Sequence, residues 1–248
     1  MWVLLMGVTL AVSAMQQQGP ATPAAPAPAG PASAGGPAGP ARGRGRGPAI
    51  PPPSVAPVGK PLGVIDLMTP EGVSLVGAKW KIMDAKIVEA PALFTQGPMA
   101  LLPQYKTTYD ITPHADVANF DDSSWPTIEP KELGIHRGGG RIAFVWYRIT
   151  LTLPEMVGTV AVTNRTAVLV ANVDDYAEVL INGQMPRAVG LPSPATIQGF
   201  NMPQRVKLSE MRVNPGDKFE VAILGINGPI AIAPTNGLFV RDARIELF

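Results

Sequence analysis

Apolar and polar residues alternate with a period of two over much of the chain beyond its first quarter. In residues 172–184, NVDDYAEVLINGQ, Tyr176, Glu178 and Leu180 fall on one side and Ala177, Val179 and Ile181 on the other, as in a pleated strand. Asn182-Gly183 then supplies the positive φ angles of a two-residue turn, so the chain is expected to reverse and pair antiparallel with the segment after the turn. The same pattern places Asp174-Asp175 at the strand's mouth, in water. Residues 141–153, RIAFVWYRITLTL, alternate Tyr147, Ile149, Leu151 and Leu153 against Arg148, Thr150 and Thr152, a half-buried strand ended by Pro154.

Weaker runs complete the pattern. Residues 78–89, AKWKIMDAKIVE, suit one strand with a bulge, and Pro91, Pro98 and Pro103 forbid a helix after it. Short strands are expected at 105–111, 159–162, 167–173, 204–208, 218–226 and 239–247, with a turn at 214–217, NPGD. In 119–125, NFDDSSW, the Asp and Ser side chains are expected to cap backbone amides while Phe120 and Trp125 enter the core. No amphipathic helix of useful length is visible. Short strands separated by Gly, Pro and Asn turns predict an all-β fold, a β-sandwich of jelly-roll type.

Composition divides the chain into three. Residues 1–14 hold an apolar run closing on Val12-Ser13-Ala14, the pattern of a cleaved signal peptide and too short for a membrane span. Residues 15–61 are mostly Pro, Ala and Gly, which bury too little to offset the entropy of ordering, so a disordered tether is expected. The folded domain is assigned to 62–248. Four basic and no acidic residues in 1–61 leave 16 basic against 19 acidic, a net of −3, beyond them. Neither part carries a phosphate-binding surface, and Arg42, Arg44 and Arg46 are too few to define a nucleic-acid partner. With no cysteine in the chain, disulfides, thiolate nucleophiles and cysteine-bound zinc are excluded. Export to the periplasm or the exterior is the expected localisation, with no transmembrane anchor.

Four stretches, FDDSSW at 120–125, WYRITLTLP at 146–154, VDDYAEVLINGQ at 173–184 and GDKFEVAI at 216–223, resemble in order the sugar-binding jelly roll of β-galactosidase-type glycoside hydrolases, a galactose-binding-like sandwich. Three more, GFNMPQRVKL at 199–208, ILGINGPI at 223–230 and APTNGLFVRDARIELF at 233–248, resemble the companion domain of secreted bacterial gluconolactonase-like proteins. Together they span nearly all of 79–248. The resemblance implies a carbohydrate-linked accessory role, not a catalytic one; the alternative is a scaffold that docks to a gluconolactonase-like β-propeller or assembles with itself, and a third reading is lactonase or glycosidase turnover through Asp121, Asp122 or His136. The resemblance itself implies no catalytic residues.

The residues themselves point the same way. His114, with Asp116 and Ser123, is a nominal base-and-nucleophile set, and a solvated loop histidine is the plainer reading. Asp121-Asp122 and Asp174-Asp175 are the paired carboxylates; neighbours in a strand point apart, so capping or solvation explains each pair better than acid–base chemistry. No cofactor is expected beyond a possible structural calcium, for which Asp121 and Asp122 are the candidate ligands. Sugar binding asks for an aromatic face with polar groups to divide the hydroxyls, and Tyr105, Tyr109, His136, Arg137, Arg141 and Phe200 are the candidates. Trp80, Trp125, Trp146 and Tyr147 are assigned to the core.

Overall fold

The computed structural model describes residues 54–92, 107–138, 140, 142–190, 199–228 and 237–248, all within one compact unit, Ala49–Phe248. The expected signal peptide, all but the end of the tether, Tyr105 and Arg141 lie outside the described residues. In chain order the elements are β1 (Gly63–Asp66), α1 (Pro70–Leu75), β2 (Trp80–Asp84), β3 (Lys86–Pro91), β4 (Thr107–Thr112), β5 (Thr127–Ile128), β6 (Arg137–Gly138), β7 (Ala143–Thr152), β8 (Met156–Val157), β9 (Val160–Ala161), β10 (Ala167–Asp174), β11 (Tyr176–Ile181), β12 (Gln204–Lys207), β13 (Lys218–Asn227) and β14 (Gly237–Leu247). No described helix is long and apolar enough to cross a membrane.

Two antiparallel sheets form the sandwich. One runs β1-β14-β10-β12, with β6 pairing against the start of β14; the other runs β11-β13-β7-β2-β5. Alternation decides which face is inside. Ala167, Leu169, Ala171 and Val173 of β10 meet Tyr147, Ile149 and Leu151 of β7 and Val221 and Ile223 of β13 in one apolar core. The expected all-β jelly-roll sandwich is therefore the fold. Its outer faces differ from each other. On the first sheet Val168 and Val170 are buried, flanked across the strands by Lys207, Glu246, Arg205 and Arg244, whose stems cover them.

The outer face of the second sheet is not open to water. A smaller apolar cluster there joins Trp146, Leu180, Ala222 and Leu224 to Ala115 and Trp125 from the long β4–β5 connection. Trp146 Nε1 donates to the Pro113 carbonyl (2.9 Å) and Arg148 Nη1 to the Ala115 carbonyl (2.6 Å). The 119–125 turn forms as expected, with Ser123 N donating to Asp121 Oδ1 (3.0 Å) and Phe120 edge-on to Trp125 (5.4 Å).

Three expectations need correction. The stretch 78–89 is not one bulged strand: β2 stays in the sandwich, while β3 leaves it to pair with β4 as a separate ribbon. Lys86 and Glu89 fall on opposite faces, so either register inside the sandwich would bury an unpaired charge. The Asn182-Gly183 turn closes as expected, with φ of 51° and 71°, yet β11 pairs with β13, not with the segment directly after the turn. Pro186 lacks the N–H that a continuing ladder needs, and pairing stops after the Ile181–Gln184 bridge. Gly183 has a further reason to be glycine, since a Cβ there would collide with the Ala118 amide nitrogen. The third correction concerns Asp174-Asp175 and shapes the candidate site.

Candidate functional site

Asp174 and Asp175 are 5% and 0% exposed, not solvated. Asp174 ends β10 in one sheet and Tyr176 begins β11 in the other, so the chain crosses between layers at this point with a single residue to do it. Every polar group on that residue must find a partner inside the protein. Asp175 N donates to the Ile226 carbonyl (3.2 Å) and its carbonyl accepts from Asn201 N (2.7 Å); its Oδ2 accepts from Gly228 N (2.9 Å). One residue thus ties the β10–β11 crossing to the turn ahead of β12 and to the end of β13.

The two carboxyls are hydrogen-bonded to each other, and Asp174 also accepts from Arg241. Neighbours that would point apart in a strand converge here because the strand ends between them. Burial chiefly, and the Asp175 carboxyl next, push the Asp174 carboxyl above its usual value against the pull of Arg241. An acid with a raised folded-state pKa contributes most to stability while protonated in both states, below 3.8, and that contribution is lost as pH rises through the folded value. Asp174→Asn cannot ionise. Its stability relative to the parent protein should therefore rise with pH from 3.8 upward, read from urea midpoints; a difference that stays flat would rule out the raised carboxyl.

Aromatic side chains stand on both sides of this crossing in the chain. Phe239 is the cross-strand partner of Asp174. His136 stacks on it at 4.1 Å, with ring planes 10° apart, and the Arg241 guanidinium lies 4.9 Å from its centre. Next to Asp175, Tyr176 meets Phe200 edge-on at 6.0 Å. Phe200 is 50% exposed, and Asn201, whose φ of 56° turns the chain there, is anchored to Asp175. Tyr176 and Glu178, two residues apart and on one side by the alternation in the sequence, share the outer face of the edge strand β11.

Of the residues chosen from sequence, His136 and Phe200 thus come to this end of the sandwich. Arg137 comes with them but faces inward: it lies opposite the buried Leu238, and its Nε is buried without a partner among the described residues. Tyr109 sits elsewhere, 71% exposed on the β3–β4 ribbon. His114 is exposed between Asp110 (3.2 Å) and Asp116 (3.8 Å).

Asp121 and Asp122, the pair considered for calcium, have separate partners. The Ser123 hydroxyl and then its amide hold the Asp121 carboxyl below its usual value. Asp122 pairs with Lys81 and with Arg148, at 3.0 Å each, so two cations already neutralise it. No group of three or more His, Asp or Glu among the described residues is placed to hold a metal.

Sequence reasoning passed over Tyr176, Glu178, Phe239 and Arg241 as site residues. One signal was available for the crossing. Val173-Asp-Asp-Tyr176 carries no Gly or Pro, and a sheet-to-sheet crossing that short leaves no loop to lift two carboxylates into water. Two concavities lie away from this end: one of ≈ 330 Å³ between α1 and β5, another of ≈ 380 Å³ beside the 182–183 turn. Neither offers an exposed aromatic face; Trp80, in the first, is 0% exposed.

No protein-family model and no curated protein matches the chain. Among solved structures it is similar to Bacteroides uniformis beta-glucuronidase 2 covalently bound to cyclophellitol-6-carboxylate aziridine, at 17% identity over 74% of this chain and 18% of that one, with a TM-score of 0.39. A calcium-binding mutant of that enzyme matches at 16% identity over 68% and 18%, with a TM-score of 0.38. Faecalibacterium prausnitzii beta-glucuronidase matches at 15% over 68% and 31%, with a TM-score of 0.28. This chain spans less than a third of the length of each, and likeness at this level carries no argument about what the protein does.

Proposed function

We propose that the protein is an exported, non-catalytic carbohydrate-recognition domain that binds at the end of the sandwich where β10 crosses to β11. One observation carries this reading. Phe200, half exposed, has its ring held edge-on by Tyr176 and its loop fixed to the buried Asp175. A pyranose C–H face packs on such a ring, and a prepositioned ring loses little entropy when it does. Tyr176 and Glu178 on β11 offer polar groups to the hydroxyls beside it. The crossing at Asp174 and Asp175 acts as the frame, not as a ligand. The test is a glycan array probed with the full-length chain and with Phe200→Ala. Retention by the parent and loss of about tenfold or more in the variant, the scale of one lost ring contact, is the expected outcome. Retention unchanged in the variant would move the site elsewhere.

A second reading, docking to a gluconolactonase-like propeller, draws on the β3–β4 ribbon, where Ile87 (51%), Val88 (39%) and Tyr109 (71%) are exposed. A two-stranded ribbon that pairs with no third strand among the described residues presents edges to which another strand can add. Recovery of one dominant protein from an envelope fraction, abolished by Val88→Lys, would favour docking; elution by free sugar would favour recognition.

A further inference from the structure

Resting on the carbohydrate reading above, we infer that the sugar taken at this end of the sandwich carries a free ammonium group, an amino sugar, and that Glu178 is its counter-charge. Glu178 lies on the outer face of β11 between Tyr176 and Leu180 in alternation, opposite Leu224 of β13. Leu180 and Leu224 belong to the apolar cluster that coats this face. Glu178 is half-buried there, and no hydrogen bond or ion pair reaches its carboxylate among the described residues. Asp122, Asp174, Glu220 and Glu246, other carboxylates at least partly shielded from water, each meet a cation.

A carboxylate held on an apolar floor without a counter-charge is costly, and the cost is recovered when a cation arrives with a ligand. Burial accordingly raises the Glu178 carboxyl above its usual value. The Tyr176–Phe200 pair next to it adds aromatic rings, which a cation also favours. A neutral sugar would hydrogen-bond to Glu178 and leave its charge uncompensated; an acidic sugar would be repelled. An ammonium on the pyranose fits both features, with the ring's C–H face on Phe200 and the nitrogen turned to Glu178.

The test titrates the full-length chain with oligomers of matched length built from glucosamine, N-acetylglucosamine or glucose. Glucosamine oligomers should bind about tenfold more tightly than either neutral series, the worth of one partly shielded ion pair. Glu178→Gln keeps the side chain's shape and should erase that preference while neutral-sugar binding persists. Glu71→Gln, an equal loss of charge on α1, should keep it, and added salt should shrink it. Equal binding of charged and neutral oligomers, or a preference that survives in Glu178→Gln, would overturn the amino-sugar assignment and leave carbohydrate recognition standing. If no oligomer of any series binds, this inference falls, and the carbohydrate reading stands or falls by the glycan array.

Discussion

Replacing Arg148 with methionine should lower the unfolding free energy by about 3 kcal/mol, the lower end of what breaking a buried ion pair costs. Arg148 is 3% exposed. Its Nε donates to Asp122 Oδ2 (3.0 Å), its Nη1 to the Ala115 carbonyl (2.6 Å), and its Nη2 lies 3.6 Å from Glu220. One guanidinium therefore fastens the β4–β5 connection to the sheet it covers, and its rigid fork is suited to partners in several directions. Methionine keeps most of the apolar volume, so the loss reports the polar bonds. Lys81 remains beside Asp122, which places the cost at the low end of the range. For a domain of this size each kcal/mol lowers Tm by roughly 2–4 °C. The covering segment should also become the first site of proteolysis, because its apolar contacts with Trp146 and Leu224 are held in register by those bonds. Urea denaturation and limited proteolysis check both points. A variant with the parent's midpoint would mean that packing alone holds the second layer.

Asp175→Ala should cost about 2–4 kcal/mol, since it strips a fully buried carboxyl from the Gly228 amide and from Asp174 and leaves that part-buried donor unsatisfied. Asp175→Asn should cost far less: its amide oxygen still accepts from Gly228, and its NH2 donates to Asp174. That donor favours an ionised Asp174, so the asparagine variant should also flatten the pH dependence described above. Urea midpoints across pH, with the exchange rate of the Gly228 amide as the local reporter, distinguish the two. Equal stabilities for alanine and asparagine would mean that the carboxyl does not organise the three segments meeting there.

Local alternation was sufficient for much of this protein. A strand buried on one face announces it every second residue, so β7, β11, β13 and β14 and the inner set Ala177, Val179 and Ile181 were legible without knowledge of their partners. The Asn182-Gly183 and 119–125 turns were legible for a related reason: positive φ angles and side-chain caps are satisfied within a few residues. His136 and Phe200 were reachable as aromatic or polar residues beside Gly-rich loops, though nothing in the sequence joined them to one end of the sandwich.

What the chain determined alone was its period, its turns and its lack of cysteine and of metal-ligand spacing; what the tertiary structure decided was which charges are buried. Arg148 reads as a solvent-facing position in its strand, and Asp174-Asp175 reads as a solvated strand mouth. Each is enclosed by segments remote in sequence: residues 113–125 over Arg148, and Asn201 and Gly228 around Asp175. Glu178 is the converse case, a charge the alternation grouped with Tyr176 and Leu180 but whose outer position and lack of a counter-ion among the described residues emerged only once its neighbours were known. Burial of a charge is a property of every segment that packs around it, and a pattern with a period of two residues holds no record of contacts made with distant parts of the chain.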